Sequence, residues 1–219
     1  AKPTLNILFF RSNYFRFTFL AFDYLFRHFP IPHICLKLRL RKKYLNRLIN
    51  FKSMKNGKLI IIEGGDGSGK TTQQKLLADY LQEKGFKVVL ARKPGGTKIS
   101  EDIRNILLDP ANKEMDKKTE FLLYEAAEAQ LSSQVLTPSI NDNAIVICDR
   151  LYHSTIVYQG FVRGIDLKII KELNKFITGI NPDIVFVLDI DPQEGLKRTV
   201  KKDRITDEGL SFHEKVRQG

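Results

Sequence analysis

From Lys58 onward, short apolar runs alternate with amphipathic stretches. KLIIIE (58–63), KVVLA (87–91), AIVIC (144–148) and DIVFVLD (183–189) are β-branched and continuously apolar, so each predicts a strand buried on both faces. Between them the apolar period lengthens. TTQQKLLADYLQEK after the first strand predicts a helix closed by Gly85. Residues 98–108 predict a second helix, stopped by Asp109–Pro110, and residues 116–131 a longer third. Residues 167–177 predict another, ended by Gly179 and Asn181–Pro182, and Asp191 is placed to cap a helix starting at Pro192. Strands separated by helices imply an α/β fold with a parallel sheet covered on both faces, and right-handed crossovers bring the loops after the strands to one edge. Ligands bind at that edge in sheets of this kind.

Composition divides the chain in two. Its 219 residues are 42% apolar and 28% charged, enough for a sizeable core and too apolar for wholesale disorder. The net charge of +11 is not spread evenly: residues 1–53 hold 11 Lys+Arg against the single acid Asp23, while residues 54–219 hold 25 against 24. Nine of the 15 Phe also fall in residues 1–53. That segment is interrupted by Arg11, Arg16, Asp23 and Arg27, so it has no apolar run long enough to span a bilayer. It is expected to stand outside the folded domain at 54–219, as upstream translation ahead of a start at Met54. The alternatives are a targeting presequence, a membrane-surface helix or an arm for single-stranded nucleic acid. Cys35 and Cys148 form no C-x-x-C pair, which argues against a disulfide scaffold or a cysteine zinc site and makes a reducing, cytoplasmic compartment the default. Cys148 lies inside an apolar strand and is expected in the core. His153 is expected in a surface or packing role, and His213 on an exposed helix face.

The chemistry starts at Gly64-Gly65-Asp66-Gly67-Ser68-Gly69-Lys70-Thr71, which fits G-x-x-x-x-G-K-[ST] between a strand and a helix. Its glycines let successive backbone N–H groups turn toward phosphate oxygens, and the helix that follows, through Thr72, adds its positive end. Lys70 is expected to reach the β- and γ-phosphates of ATP, with the Thr71 hydroxyl on Mg²⁺. Asp149, closing the third strand, is the candidate for outer-sphere contact with that metal. These features predict a P-loop NTPase fold. A nucleotide kinase also needs an anion site for the acceptor and cations around the transferring group. Arg92 and Arg150, each directly after a strand, are candidates for the first. The run containing Lys197, Arg198, Lys201, Lys202 and Arg204 suits a closing lid, although a solvated helix face would look the same.

Taken together, IIIEGGDGSGKTTQ (60–73), ARKPGGT (91–97), LLYEAAEAQL (122–131), ICDRLYHSTIVYQG (147–160), NPDIVFVLDIDPQEGLKR (181–198) and DRITDEGLSFHEKVRQG (203–219) resemble the thymidylate kinase family. The resemblance implies transfer of the γ-phosphate of ATP to dTMP, giving dTDP, with Mg²⁺, on a nucleoside monophosphate kinase-like fold that acts as a homodimer. It implies that Asp66 lies near the acceptor phosphate and that Arg150 and Arg92 bind it. Tyr124 takes the place of the aromatic that stacks on thymine, and Ser154, Thr155 and Tyr158 lie where the family contacts base and deoxyribose. Catalytic cations would come from the lid, as Arg198, Lys202 or Arg204. The family continues past the position of Gly219 with the rest of a helix, a strand and a final helix. Two positions invert charge. Glu128 stands where the family has an Arg that helps read the thymine edge, and Lys93 where it has the Glu of R-E-P-G-G-T. One hypothesis pairs Lys93 with Glu128. Alternatives are altered base choice, with Glu128 accepting from a cytosine amino group (dUMP and dCMP being the other acceptors to test), or a non-catalytic nucleotide-binding remnant.

Overall fold

The computed structural model describes residues 6–11, 57–199 and 203–219. Five parallel strands run β1 (Asn6–Arg11), β2 (Lys58–Gly64), β3 (Val88–Arg92), β4 (Ile145–Asp149) and β5 (Ile184–Asp189), in the sheet order β1-β5-β2-β4-β3. β2 lies at the centre, and its side chains show why a continuous apolar run is needed there. Leu59 and Ile61 face one side, packed with Val146, Cys148, Val185, Leu131 and Leu136; Ile60 and Ile62 face the other, packed with Ile145, Ile147, Leu77 and Leu81. Alternation along a strand sends neighbours to opposite faces, so a polar residue at any of these positions would open one core. Each fully buried Leu or Ile contributes about 1.5–3 kcal/mol.

Side-chain caps start four of the helices. α1 (Lys70–Glu83) follows the glycine loop, and the chain turns back at Gly85, whose φ of 82° is left-handed. α2 (Lys98–Leu108) is capped by Thr97, whose hydroxyl accepts from the Ser100 N–H, and α3 (Lys117–Leu131) by Asp116, which accepts from Lys118 N–H. The pattern stops α3 at Leu131, but the backbone continues helically. A wider turn of π type at Ser132–Leu136 leads into α4 (Thr137–Asn141). After β4, α5 (Tyr152–Thr155) runs into a second π-type stretch, Ile156–Val162. α6 (Leu167–Ile177) is capped by Asp166, and α7 (Pro192–Arg198) by Asp191, the latter as expected. A 3₁₀ turn at Thr206–Glu208 precedes α8 (Leu210–Gln218).

In β1 the backbone pairs with β5 along the whole strand, from Asn6 opposite Ile184 to Arg11 opposite Asp189. The other 47 positions of the 1–53 extension lie outside the described residues. Cys148 is fully buried, as expected. His213 is a correction: it was expected on an exposed face, and it is 5% exposed, its ring set edge-on to Phe212. The polar residues around it in sequence hide that α8 presses this side of the helix onto the molecule.

Candidate active site

The parallel register sets the ends of the strands level. Arg92 lies opposite Asp149, and Gly64 opposite Leu188, so the loops after β2, β3, β4 and β5 open on one edge. At the end of β2 the chain turns through Gly64 (φ 147°), Gly67 (φ 69°) and Gly69 (φ 91°), conformations closed to most side chains. Gly67 also has no room for one: a Cβ there would sit 2.1 Å from the carbonyl oxygen of Gly195 in α7. Lys70 opens α1 and folds back over the loop, donating from Nζ to the carbonyls of Gly64 (3.0 Å) and Gly65 (2.8 Å). Burial, reinforced by the positive charge of Arg150, brings its pKa down to about 8.

Thr71 donates from Oγ1 to Oδ2 of Asp149 at 3.0 Å. A hydroxyl and a carboxylate beside a phosphate-binding loop are the oxygen donors Mg²⁺ takes, and that ion completes its shell with water and substrate phosphates. Among the described residues there is no group of three or more His, Cys, Asp or Glu that could hold a metal by protein ligands alone. The pair therefore fits a metal carried in with a nucleotide.

Arg150 joins the loop to the acceptor side. Its backbone is left-handed (φ 67°), and its N–H donates to the Ile62 carbonyl at 3.0 Å, which locks the turn after β4 against β2. The guanidinium donates to Asp66 Oδ1 at 2.8 Å and to Ser154 Oγ at 3.2 Å, and lies 5.3 Å from the Tyr158 ring centroid. Burial alone would raise the Asp66 carboxyl, but Arg150 and Lys70 outweigh it and hold the pKa below the usual carboxylate range. Beneath them Glu63 accepts from Leu151 N–H (3.0 Å) and from Ser154 Oγ (2.7 Å). Glu63 was not singled out from the sequence. Its signal was an acid closing an apolar strand immediately before the glycine loop.

A cavity of about 100 Å³ opens beside Arg150. Asp66, Arg150, Ser154, Thr155, Tyr158 and Tyr124 line it, all expected there, together with Lys93 and Arg104. Arg104 was also missed. It stands on α2 and donates to the Pro94 carbonyl at 2.8 Å, and burial, together with the charge of Arg92, lowers its pKa. A larger void of about 710 Å³ shares Asp66, Arg150, Ser154 and Tyr158 with this cavity and has a largely apolar wall from Val185, Val187, Leu196 and Val216.

Other expected residues are not brought into the cavity. Arg92 is half-exposed and bound through NH2 to both carboxylate oxygens of Glu101, at 2.8 and 2.7 Å. Thr72 is exposed on α1, and Arg198 is exposed in the last turn of α7. Lys202 lies outside the described residues. Arg204 is a correction. A lid cation should be free to move, but this side chain is buried, pairs with Glu120 at 2.7 Å and donates to the Leu107 carbonyl at 2.8 Å. Glu128 is a second correction. It is fully buried and turned away from the cavity, in an ion pair with Lys93. The hypothesis of a swapped pair therefore holds, with Glu125 as a third member, 3.1 Å from Lys93 Nζ. His153 packs on Tyr152, their ring centroids 4.0 Å apart.

Residues 62–219 match the family model described as thymidylate kinase. A thymidylate kinase of Geobacillus sp. (strain WCH70) is 46% identical over 169 residues, covering 74% of this chain and 80% of the relative. One from Thermoanaerobacter sp. (strain X514) is 45% identical over 166 residues, covering 74% and 81%. The crystal structure of thymidylate kinase from Ehrlichia chaffeensis superposes with a TM-score of 0.58 at 42% identity, covering 65% of this chain and 77% of that one. The phosphate loop, the cavity beside Arg150 and the match over residues 62–219 place this chain in the thymidylate kinase family.

Proposed function

We propose that the chain transfers the γ-phosphoryl group of ATP to dTMP, giving dTDP. The observation that carries this reading is Arg150. One guanidinium reaches Asp66 of the phosphate loop and Ser154 of the acceptor wall at once, so a single cation serves both anion sites. Phosphoryl transfer asks a protein for in-line positioning and for cations around the transferring group more than for covalent chemistry. Lys70 supplies one cation from the loop, and Arg150 another from the acceptor side. Asp66 holds Arg150 in place until the acceptor phosphate arrives. When bound, Mg²⁺ would be held at Thr71 and Asp149 and would neutralise charge on the donor phosphates. Tyr124 forms the aromatic wall for the base.

A homodimer and a cytoplasmic setting complete the proposal. No helix among the described residues is long and apolar enough to cross a membrane. The test is a coupled assay with ATP, Mg²⁺ and dTMP, run beside dUMP and dCMP. Turnover with dTMP, lost in Lys70→Ala, is the expected result; turnover unchanged in that variant would sink the mechanism.

A further inference from the structure

The inverted pair at Lys93 and Glu128 does more than keep charge balanced, and what it does concerns the proposed acceptor site. Lys93 Nζ has three hydrogens and no acceptor. All three are taken: by Glu128, by Glu125 Oε1 at 3.1 Å and by Thr155 Oγ1 at 2.7 Å. Lys93 lines the cavity, yet it has no hydrogen left for a base carbonyl. Thr155 Oγ1 must accept from the ammonium. Its own hydrogen goes to Glu125 Oε1 at 3.2 Å. A free threonine hydroxyl rotates to donate or accept as its partner requires. This one has spent its hydrogen, and of its two lone pairs one remains.

The side chains behind it are sealed. Lys93, Glu125 and Glu128 are each no more than 3% exposed at the side chain. Two carboxylates surround one ammonium, so this wall disfavours a phosphate and faces the base, while Arg150 takes the phosphate. We infer that Glu125, anchored by Lys93, is a positioning residue that fixes Thr155 as a hydrogen-bond acceptor, so that the cavity selects a pyrimidine whose ring nitrogen carries hydrogen. Thymine and uracil have that N–H. Cytosine offers a lone pair at the same atom, which would meet the lone pair of Thr155. The inference rests on the cavity being the pyrimidine nucleotide site. It also removes the route by which Glu128 would favour cytosine, since that carboxylate is committed to Lys93 and does not line the cavity.

The test compares kcat/KM for dTMP and dCMP in the full chain. Glu125→Ala leaves Lys93 and Glu128 as a balanced pair and frees the Thr155 hydrogen to turn toward the cavity. The preference for dTMP over dCMP should fall about 10- to 100-fold, the scale on which one satisfied or opposed buried hydrogen bond discriminates, with kcat/KM for ATP unchanged. Thr155→Val should lose a similar share of the preference, and Thr155→Ser should keep it. Thermal melts verify folding, and the Thr155 pair stands as the test if Glu125→Ala does not fold. A dTMP/dCMP ratio unchanged in a folded Glu125→Ala would overturn the inference, as would equal losses on both substrates in Thr155→Val. Failure of the unmodified chain to phosphorylate dTMP at all would instead strike the proposed function.

Discussion

Lys70 rests on two loop carbonyls in a buried setting that, with Arg150 beside it, lowers its pKa to about 8. Holding that charge at neutral pH costs about 3 kcal/mol relative to an unperturbed lysine. The sign follows from proton counting. Between pH 8 and the ordinary lysine value the unfolded chain binds the extra proton, so the penalty is full below pH 8 and shrinks above it. Two outcomes are expected. Lys70→Met should lower turnover by about a thousandfold or more while leaving the melting temperature unchanged or higher, since it removes a buried charge along with a phosphate ligand. In the unmodified protein, kcat/KM for ATP should fall as pH rises through about 8, because that quantity reports the free enzyme. The pH dependence of kcat should lie higher, where bound phosphates hold the proton on. Steady-state rates between pH 6 and 10 check both limbs. Residues such as Lys70, Thr71, Asp149 and Arg150 were legible in the sequence because each sits at the end of a recognisable strand or in a spaced motif. Glu128 and Arg204 were less so. Helical spacing gives the face a side chain occupies, but not which neighbour neutralises it across the fold.

At the scale of elements, the phosphate loop and α7 touch backbone to backbone. A Cβ on Gly195 would lie 2.2 Å from the Asp66 carbonyl oxygen, the reciprocal of the clash at Gly67. Gly195→Ala should therefore push the loop away from its phosphate-binding shape. The expected readout is a KM for ATP raised about tenfold or more with a melting temperature lowered by several degrees, and kinetics beside a thermal melt would register both. Arg204 gives a second prediction of this kind. It fastens the segment at 203–208 to Glu120 on α3 and to the end of α2. Arg204→Met should destabilise by about 2–4 kcal/mol, because Glu120 loses a buried partner while keeping Arg163. A lid cation would behave the other way, with kcat reduced and stability intact, so denaturant melts with rates separate the two roles. The capped helices and β-branched strands announced themselves because the cap residue and the apolar period agree. The π-type stretches at Ser132–Leu136 and Ile156–Val162 did not. Their Ser, Val, Ile, Tyr and Gly content has weak helix preference, and tertiary packing overrides it, with Leu136 in the core beside the sheet and Tyr158 against Ile205, Phe212 and Val216.

On the scale of the whole molecule, charge and chemistry are separated along the chain. Residues 1–53 account for +10 of the +11, counting 11 Lys+Arg less Asp23, and residues 54–219 for the remaining +1, counting 25 less 24. Screening confines the influence of exposed charge to about 8–10 Å at physiological salt, so a basic segment steers the active site only where it lies close to it. Among the described residues, the buried clusters that hold the sheet begin at Leu59. What the extension adds to them is the backbone of β1 along the outer edge of β5. A chain beginning at Met54 should then keep kcat with dTMP within about twofold, since no group assigned to the reaction is removed. It should melt a few degrees lower, because β5 becomes an unpaired edge. It should also lose the salt-dependent retention on a polyanion column that about ten net positive charges confer on the full chain. Retention, melting and turnover measured on both lengths test each part separately. Turnover lost while the melting temperature stays above that of the assay would mean that the extension reaches the acceptor side itself. Turnover kept with retention lost would assign the basic character of the chain to its first 53 residues, and phosphoryl transfer to the nearly neutral domain after them.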